Sequence, residues 1–310
     1  FAGISAYLHN DLARAESHLL FLVENMPLSP PSYLSHGVFA LTRLYTNQGK
    51  AERAKELLQA TSSYLEESGY AVQKEQLRAF RVELALLQGD LELAQHLSRN
   101  ADFDSGRSLW FYYEPQLTPV KLILDEGVAE SLPKALALLE QMDETLAKVN
   151  LKTVRIDVLA MKALANDGLG DWQMVCKDLM AALRLAEPGG FIRNFLDLGR
   201  PMVDLLSRLH DQGNTGFESY VTRILDAFQQ NEQGKLTQQP ETIPMLKGPL
   251  TEREHQTLRL LATELSPQEI SSSMTISVNT ARTHIRNLYS KLDVQSRYEA
   301  VEVAKKLGLL

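Results

Sequence analysis

Ser277-Val278-Asn279-Thr280-Ala281-Arg282-Thr283-His284-Ile285-Arg286-Asn287-Leu288 sorts its residues onto two faces of a helix. Apolar side chains fall at Val278, Ala281, Ile285 and Leu288, and again at Leu292, which is the three-then-four spacing of one buried stripe. Asn279, Arg282, Thr283, Arg286 and Ser290 share the other face. Forked guanidinium groups placed there can reach guanine edges or phosphates. The stretch therefore predicts a helix with one face in a core and the other offered to nucleic acid.

The neighbouring residues say where this helix and its companions begin. Three S/T-x-x-E capping boxes, Thr251/Glu254, Ser266/Glu269 and Ser296/Glu299, each satisfy orphan amides at a helix start. Pro267 suits the first position of the second helix, and Ser277 is a further N-cap. The tract predicts four helices, at 251–263, 266–273, 278–291 and 296–307. Met274-Thr275-Ile276-Ser277 makes the short turn between the second and third. That order is a helix-turn-helix, in which the helix after the turn enters the major groove.

Leu250-Thr251-Glu252-Arg253-Glu254, Leu265-Ser266-Pro267-Gln268-Glu269-Ile270, Thr280-Ala281-Arg282-Thr283-His284-Ile285 and Lys291-Leu292-Asp293-Val294-Gln295-Ser296-Arg297 resemble the LuxR-type DNA-binding domain, over about one fifth of the chain. The resemblance implies that Arg282, Thr283 and Arg286 contact bases, with Asn279 on the same face. It implies phosphate contacts from Thr280 and Lys291, and an ion pair between Arg297 and Glu254 that locks the first helix to the fourth. Tyr298, Val301 and Leu307 on the fourth helix are, by the same resemblance, the candidate dimer contact. Glu264, Ser271 and Ala281 depart from the family pattern, but none lies on the reading face.

Charge is distributed unevenly. The net charge of −7 would not by itself suggest a nucleic-acid partner. Residues 249–310 hold eight Lys/Arg and seven Asp/Glu, or +1, which leaves −8 for the rest. The positive potential is thus local to the reading helix, and the acidic remainder weakens non-specific DNA binding. The single cysteine, Cys176, excludes a disulfide framework and suits a reducing cytoplasm. No apolar run is long enough to span a membrane.

That acidic remainder repeats. Asn10-Asp11-Leu12-x-x-Ala15, Gly49-Lys50-Ala51-x-x-Ala54, Gly89-Asp90-Leu91-x-x-Ala94 and Gly170-Asp171-Trp172-x-x-Val175 align, with a looser copy through Gly127, Pro133 and Ala135. The turn positions are 39, 40, 38 and 43 residues apart. Each copy predicts a helix, a tight turn and a second helix whose small residue allows close packing. Neither helix can bury its apolar face alone, so the copies stack into a superhelix. The pattern is similar to tetratricopeptide repeats but longer in period, nearer to the repeats of MalT-like regulators. The junction Ala186-Glu187-Pro188-Gly189-Gly190-Phe191-Ile192-Arg193-Asn194-Phe195-Leu196-Asp197 resembles the segment that ends the repeat region in large ATP-binding regulators of the LuxR family.

The sequence contains no G-x-x-x-x-G-K-[ST], and its seven histidines are scattered without metal-ligand spacing. We expect no catalytic residues, no metal and no cofactor, and an ATPase module upstream of this span. The expected architecture is all-α: a TPR-like repeat domain at 1–230, a flexible linker at 231–248 and a four-helix LuxR-type domain at 249–310. The structural residues of the latter are Thr251, Glu254, Ser266, Glu269, Val278, Ile285, Leu288 and Arg297. The function expected is that of a cytoplasmic bacterial transcription regulator. Its partners would be double-stranded DNA, a second copy on that DNA, and a small-molecule or protein effector at the repeats, with no membrane. The rival is a repeat scaffold without sequence-specific DNA binding. The run Trp110-Phe111-Tyr112-Tyr113 is expected as helix core.

Overall fold

A computed structural model describes residues 1–104, 112–213, 215–237, 250–262, 265, 267–292, 294, 300–301, 303–304 and 309, with backbone alone at 233–237, 252 and 267. Every regular element among them is helical. The chain forms two compact units, Phe1–Leu236 and Thr237–Leu310.

The first unit is built from helix pairs: α1 (Ala2–Leu8) with α2 (Leu12–Glu24), α3 (Pro31–Asn47) with α4 (Ala51–Glu67), and α5 (Ala71–Leu87) with α6 (Leu91–Ser98). After a longer connection come α7 (Thr118–Glu126) with α8 (Leu132–Val149), then α9 (Lys152–Gly168) with α10 (Trp172–Ala186). The aligned turn residues sit between the members of each pair and adopt one conformation. Asn10, Gly49, Gly89, Gly127 and Gly170 all have positive φ, between 64° and 77°. That left-handed corner lets the next amide reach back to the carbonyl five residues earlier. Asp11 N–H donates to Ala6, Lys50 to Tyr45, Asp90 to Ala85 and Asp171 to Asn166, at 2.8–3.0 Å. Asp11, Asp90 and Asp171 then cap the second helix of their pair, accepting from the amides of Arg14, Leu93 and Met174.

The small residue of each copy is where helices meet. Ala15, Ala54, Ala94 and Val175 are fully buried and Ala135 nearly so. A larger side chain at such a point would cost about 1–3 kcal/mol through overpacking. The first helices of successive pairs touch in series, α1 with α3, α3 with α5, α5 with α7 and α7 with α9. They form the inner wall, which is why α3 buries polar residues such as Ser35, His36 and Arg43 together with its apolar ones.

The inner wall closes on itself. Beyond α10 the short α11 (Arg193–Leu196) touches both α9 and α1, and it leads into α12 (Gly199–Gln212) and α13 (Glu218–Thr237). Ile192 N–H donates to Leu8 C=O at 2.8 Å, and the Tyr7 hydroxyl donates to Asp197 Oδ2 at 2.8 Å. Arg193 is 1% exposed and reaches Asp197 Oδ1 at 2.7 Å, Tyr7 Oη at 3.2 Å and Asn10 Oδ1 at 3.1 Å. Its guanidinium also lies 4.9 Å from the Tyr7 ring centre. Residues about 190 apart in sequence thus complete a ring of repeats.

One boundary and one expectation differ from the sequence reading. α13 continues to Thr237, into the segment 231–248 read as a flexible linker. Its polar residues are compatible with a helix, and the first proline after it is Pro240. Residues 238–249 of that segment lie outside the described residues. Tyr112 and Tyr113 are buried as expected, but on an irregular connection and not in a helix. Tyr113 packs edge-on against Phe39 and Phe80, and its hydroxyl lies 2.9 Å from Thr118 Oγ1. Trp110 and Phe111 lie outside the described residues.

The second unit contains α14 (Glu252–Ala262), α15 (Pro267–Met274) and α16 (Val278–Leu292), each within a few residues of the helices that the caps predict. Ala300, Val301, Val303 and Ala304 are helical as well, with Ala300 and Ala304 fully buried.

Candidate nucleic-acid interface

The core of the second unit sets the orientation of α16. Leu258 and Leu261 of α14, Ile270 and Met274 of α15, and Ala281, Leu288 and Leu292 of α16 form one cluster with Ala300 and Ala304. Ile285 packs against it while partly exposed, and Val278 is half-buried. The apolar stripe is therefore the inner face of α16, and the helix cannot turn without exposing it.

Its start is fixed by Ser277, whose Oγ accepts from Thr280 N–H at 3.1 Å and lies 2.8 Å from Thr280 Oγ1. The turn before it bends at Thr275, where φ is +55°. Ile276 N–H donates to Ser271 C=O across that corner, the same back-bonding that closes the repeat turns. A β-branched residue in this region is strained, so tertiary packing and not local preference holds the turn.

Asn279, Thr280, Arg282, Thr283 and Arg286 are all exposed on α16, as are Asn287 and Ser290. Thr283 Oγ1 returns a hydrogen bond to Asn279 C=O at 2.9 Å. Among the described residues, neither Arg282 nor Arg286 has an ion-pair partner. Two unpaired guanidinium groups one helical turn apart, backed by a rigid apolar face, can approach an anionic surface without first breaking an internal bond.

The first capping box forms as predicted: Thr251 N–H donates to Glu254 Oε2 at 2.7 Å, and Glu254 N–H donates to Thr251 Oγ1 at 3.3 Å. Glu254 is 4% exposed. Its hydrogen bonds with Lys291 and Thr251 hold its carboxyl below the usual carboxylate range, against the opposing effect of burial. Sequence reasoning missed its contact with Lys291 Nζ, at 2.7 Å. Glu269 is exposed, Val301 half-buried and Leu288 fully buried. Ser266, Arg297, Tyr298 and Leu307 lie outside the described residues.

The first unit holds a different polar cluster, one that the repeat pattern gives no hint of. Arg43 pairs with Glu83, which also accepts from Lys121 Nζ at 2.9 Å. Asn194 Nδ2 donates to Asp157 Oδ1 at 2.8 Å. Burial raises the Asp157 carboxyl and lowers the Lys121 ammonium, the latter with help from the Arg43 charge. Arg43, Lys121, Asp157 and Asn194, with Arg193, Asp197 and Tyr112, line a cavity of about 20 Å³. Arg43 Nε, Arg193 Nε and Asn194 Oδ1 are buried with no hydrogen-bond partner among the described residues.

Among the described residues no group of three or more His, Cys, Asp or Glu could hold a metal ion, and no helix is long and apolar enough to cross a membrane.

A ring of helical repeats and a helix-turn-helix with an exposed basic face, in one chain, are the architecture of DNA-binding transcriptional regulators. Residues 7–212 match the MalT-like TPR region, and residues 248–304 match the bacterial regulatory proteins of the luxR family. The chain belongs to the MalT-like family of regulators. It is 32% identical over 190 residues to the HTH-type transcriptional regulator MalT of Vibrio cholerae, covering 57% of this chain and 21% of that protein. It is 36% identical over 156 residues to MalT of Serratia proteamaculans, covering 44% and 17%. Against MalT of Cronobacter sakazakii it is 37% identical over 144 residues, covering 42% and 16%. The matched span is thus about a fifth or less of the length of these relatives.

Proposed function

We propose that the chain regulates transcription by placing α16 in the major groove, with Arg282, Thr283 and Arg286 reading bases beside Asn279, and Thr280 near a phosphate. The observation that carries this reading is the pair of exposed arginines, without an ion-pair partner among the described residues, opposite a buried apolar stripe. A scaffold's terminal cap would have no use for them, which favours the reader. Bidentate arginine contacts to guanine supply about 1–3 kcal/mol of discrimination each. Two copies meeting on adjacent half-sites multiply that affinity through effective concentration, with Tyr298, Val301 and Leu307 as the contact between them.

The repeat domain, read from the sequence as 1–230, is the sensor, and the segment after it, read as 231–248, tethers the 249–310 reader. We assign its effector, a small molecule or a protein, to the polar interior of the ring. Buried polar atoms in native proteins are almost always hydrogen-bonded, so Arg43 Nε, Arg193 Nε and Asn194 Oδ1 call for a partner. A cavity of about 20 Å³ has room for roughly one water molecule. A larger effector would have to widen the cavity, which couples ligand binding to the packing of the helices that line it. The protein acts in the bacterial cytoplasm, where its DNA lies.

Selection from a random duplex library, beside the Arg282→Ala/Arg286→Ala double variant, tests the reading. Wild type should enrich a motif that the variant does not. An unchanged motif in the variant would remove these arginines from base recognition, and no enrichment even from a forced dimer would restore the scaffold reading.

A further inference from the structure

We infer that Lys291 is a positioning residue, which pins the far end of the reading helix to α14, and is not a phosphate contact. The inference rests on the DNA reading above and concerns how α16 is held during that reading.

Two observations bear on it, and the second carries it. The first is rotation. At about 100° per residue, Lys291 lies about 180° from Arg282 and about 140° from Arg286 around α16, on the side of Thr280 and His284. A side chain there flanks the buried stripe and points away from the groove-facing arginines.

The second is the contact itself. Lys291 Nζ lies 2.7 Å from Glu254 Oε2, and Glu254 has a side-chain exposure of only 6%. The same oxygen accepts from Thr251 N–H at 2.7 Å and Thr251 Oγ1 at 2.9 Å. One carboxylate oxygen thus joins the start of α14 to the last turn of α16, 37 residues later. A lysine in a helix's last turn is also favoured by the helix dipole. Moving its ammonium to a phosphate would take a counter-charge away from a nearly buried carboxylate, which is costly. The apolar stripe sets which face of α16 is presented; the lysine sets the tilt of that face, since it acts at the end farthest from the turn.

The distinguishing measurement is the salt dependence of binding to a labelled mixed-sequence duplex. Lys291→Ala should weaken binding on the order of threefold to tenfold for every sequence, as loss of a partly buried pair would. The slope of log affinity against log salt should stay as in wild type. In a Glu254→Gln background, which keeps a capping oxygen but removes the charge, the same substitution should have little further effect. A slope reduced by about 0.9, with losses that multiply in the double variant, would make Lys291 a phosphate contact and overturn the inference.

Lysine acylation of the wild-type chain provides a check that no folding defect can mimic. Lys291 should react slowly both with and without duplex, whereas protection that appears only on adding duplex would also overturn it. Wild type showing no salt-dependent binding at all would instead refute the DNA reading itself.

Discussion

Arginine does opposite work in the two units. Arg43 and Arg193 of the ring are 7% and 1% exposed, and each is matched to a carboxylate. Arg282 and Arg286 of the reader are exposed and have no ion-pair partner among the described residues. A guanidinium spends its charge either inside the fold, holding distant helices together, or outside, where a partner can take it up. The environment decides which, because a buried charge cannot be left unpaired while a solvated one loses little by being free.

The sharpest way to break this contrast is to remove one arginine from each unit. Arg193→Ala strands Asp197 and loosens the Tyr7 hydroxyl, so the ring should lose about 3–5 kcal/mol of stability. Both tryptophans, Trp110 and Trp172, belong to the first unit, so urea unfolding followed by their fluorescence reports on the ring alone. A change under about 0.5 kcal/mol, the level of ordinary surface substitutions, would mean that the closure between α1 and α11 contributes nothing.

Acid should reach the ring through His36. Burial, reinforced by the Arg43 charge, lowers its pKa from 6.5 to about 4. The unfolded chain therefore takes up a proton near pH 6.5 while the folded chain resists until about pH 4. The contribution of His36 is fully present above that window and is lost as pH falls through it, by roughly 3 kcal/mol in all. Asp157, whose carboxyl burial raises, acts in the opposite direction, so the test is a difference. Fluorescence-detected stability of His36→Gln should vary less steeply than wild type across the window. Equal slopes would show that His36 is not held neutral.

The smallest of these effects belongs to the reader. Arg286→Ala should cost about 1–3 kcal/mol of affinity at the preferred site and relax base choice there. The thermal stability of the reader should hardly move, because the side chain is exposed. Anisotropy titrations of preferred and altered duplexes, beside a melting curve, would read both. A reader that unfolded instead would place Arg286 with the arginines of the ring.

Much of this architecture was legible before any coordinates. The repeat turns, the small residues at the crossings, the caps at Thr251 and Ser277, and the two faces of α16 are all local. They depend on φ at one residue, on a hydrogen bond across three residues, or on a 3.6-residue period. The sequence by itself determined the helices, their pairing into repeats, and which arginines the reader exposes. Only the tertiary structure decided that the repeats close through Tyr7, Arg193 and Asp197, that Arg43, Glu83 and Lys121 share one interior, and that Lys291 answers Glu254. Those contacts join residues from about 37 to about 190 positions apart. No periodicity records them, since the same charged residue reads alike in sequence whether the fold later buries it or leaves it in water.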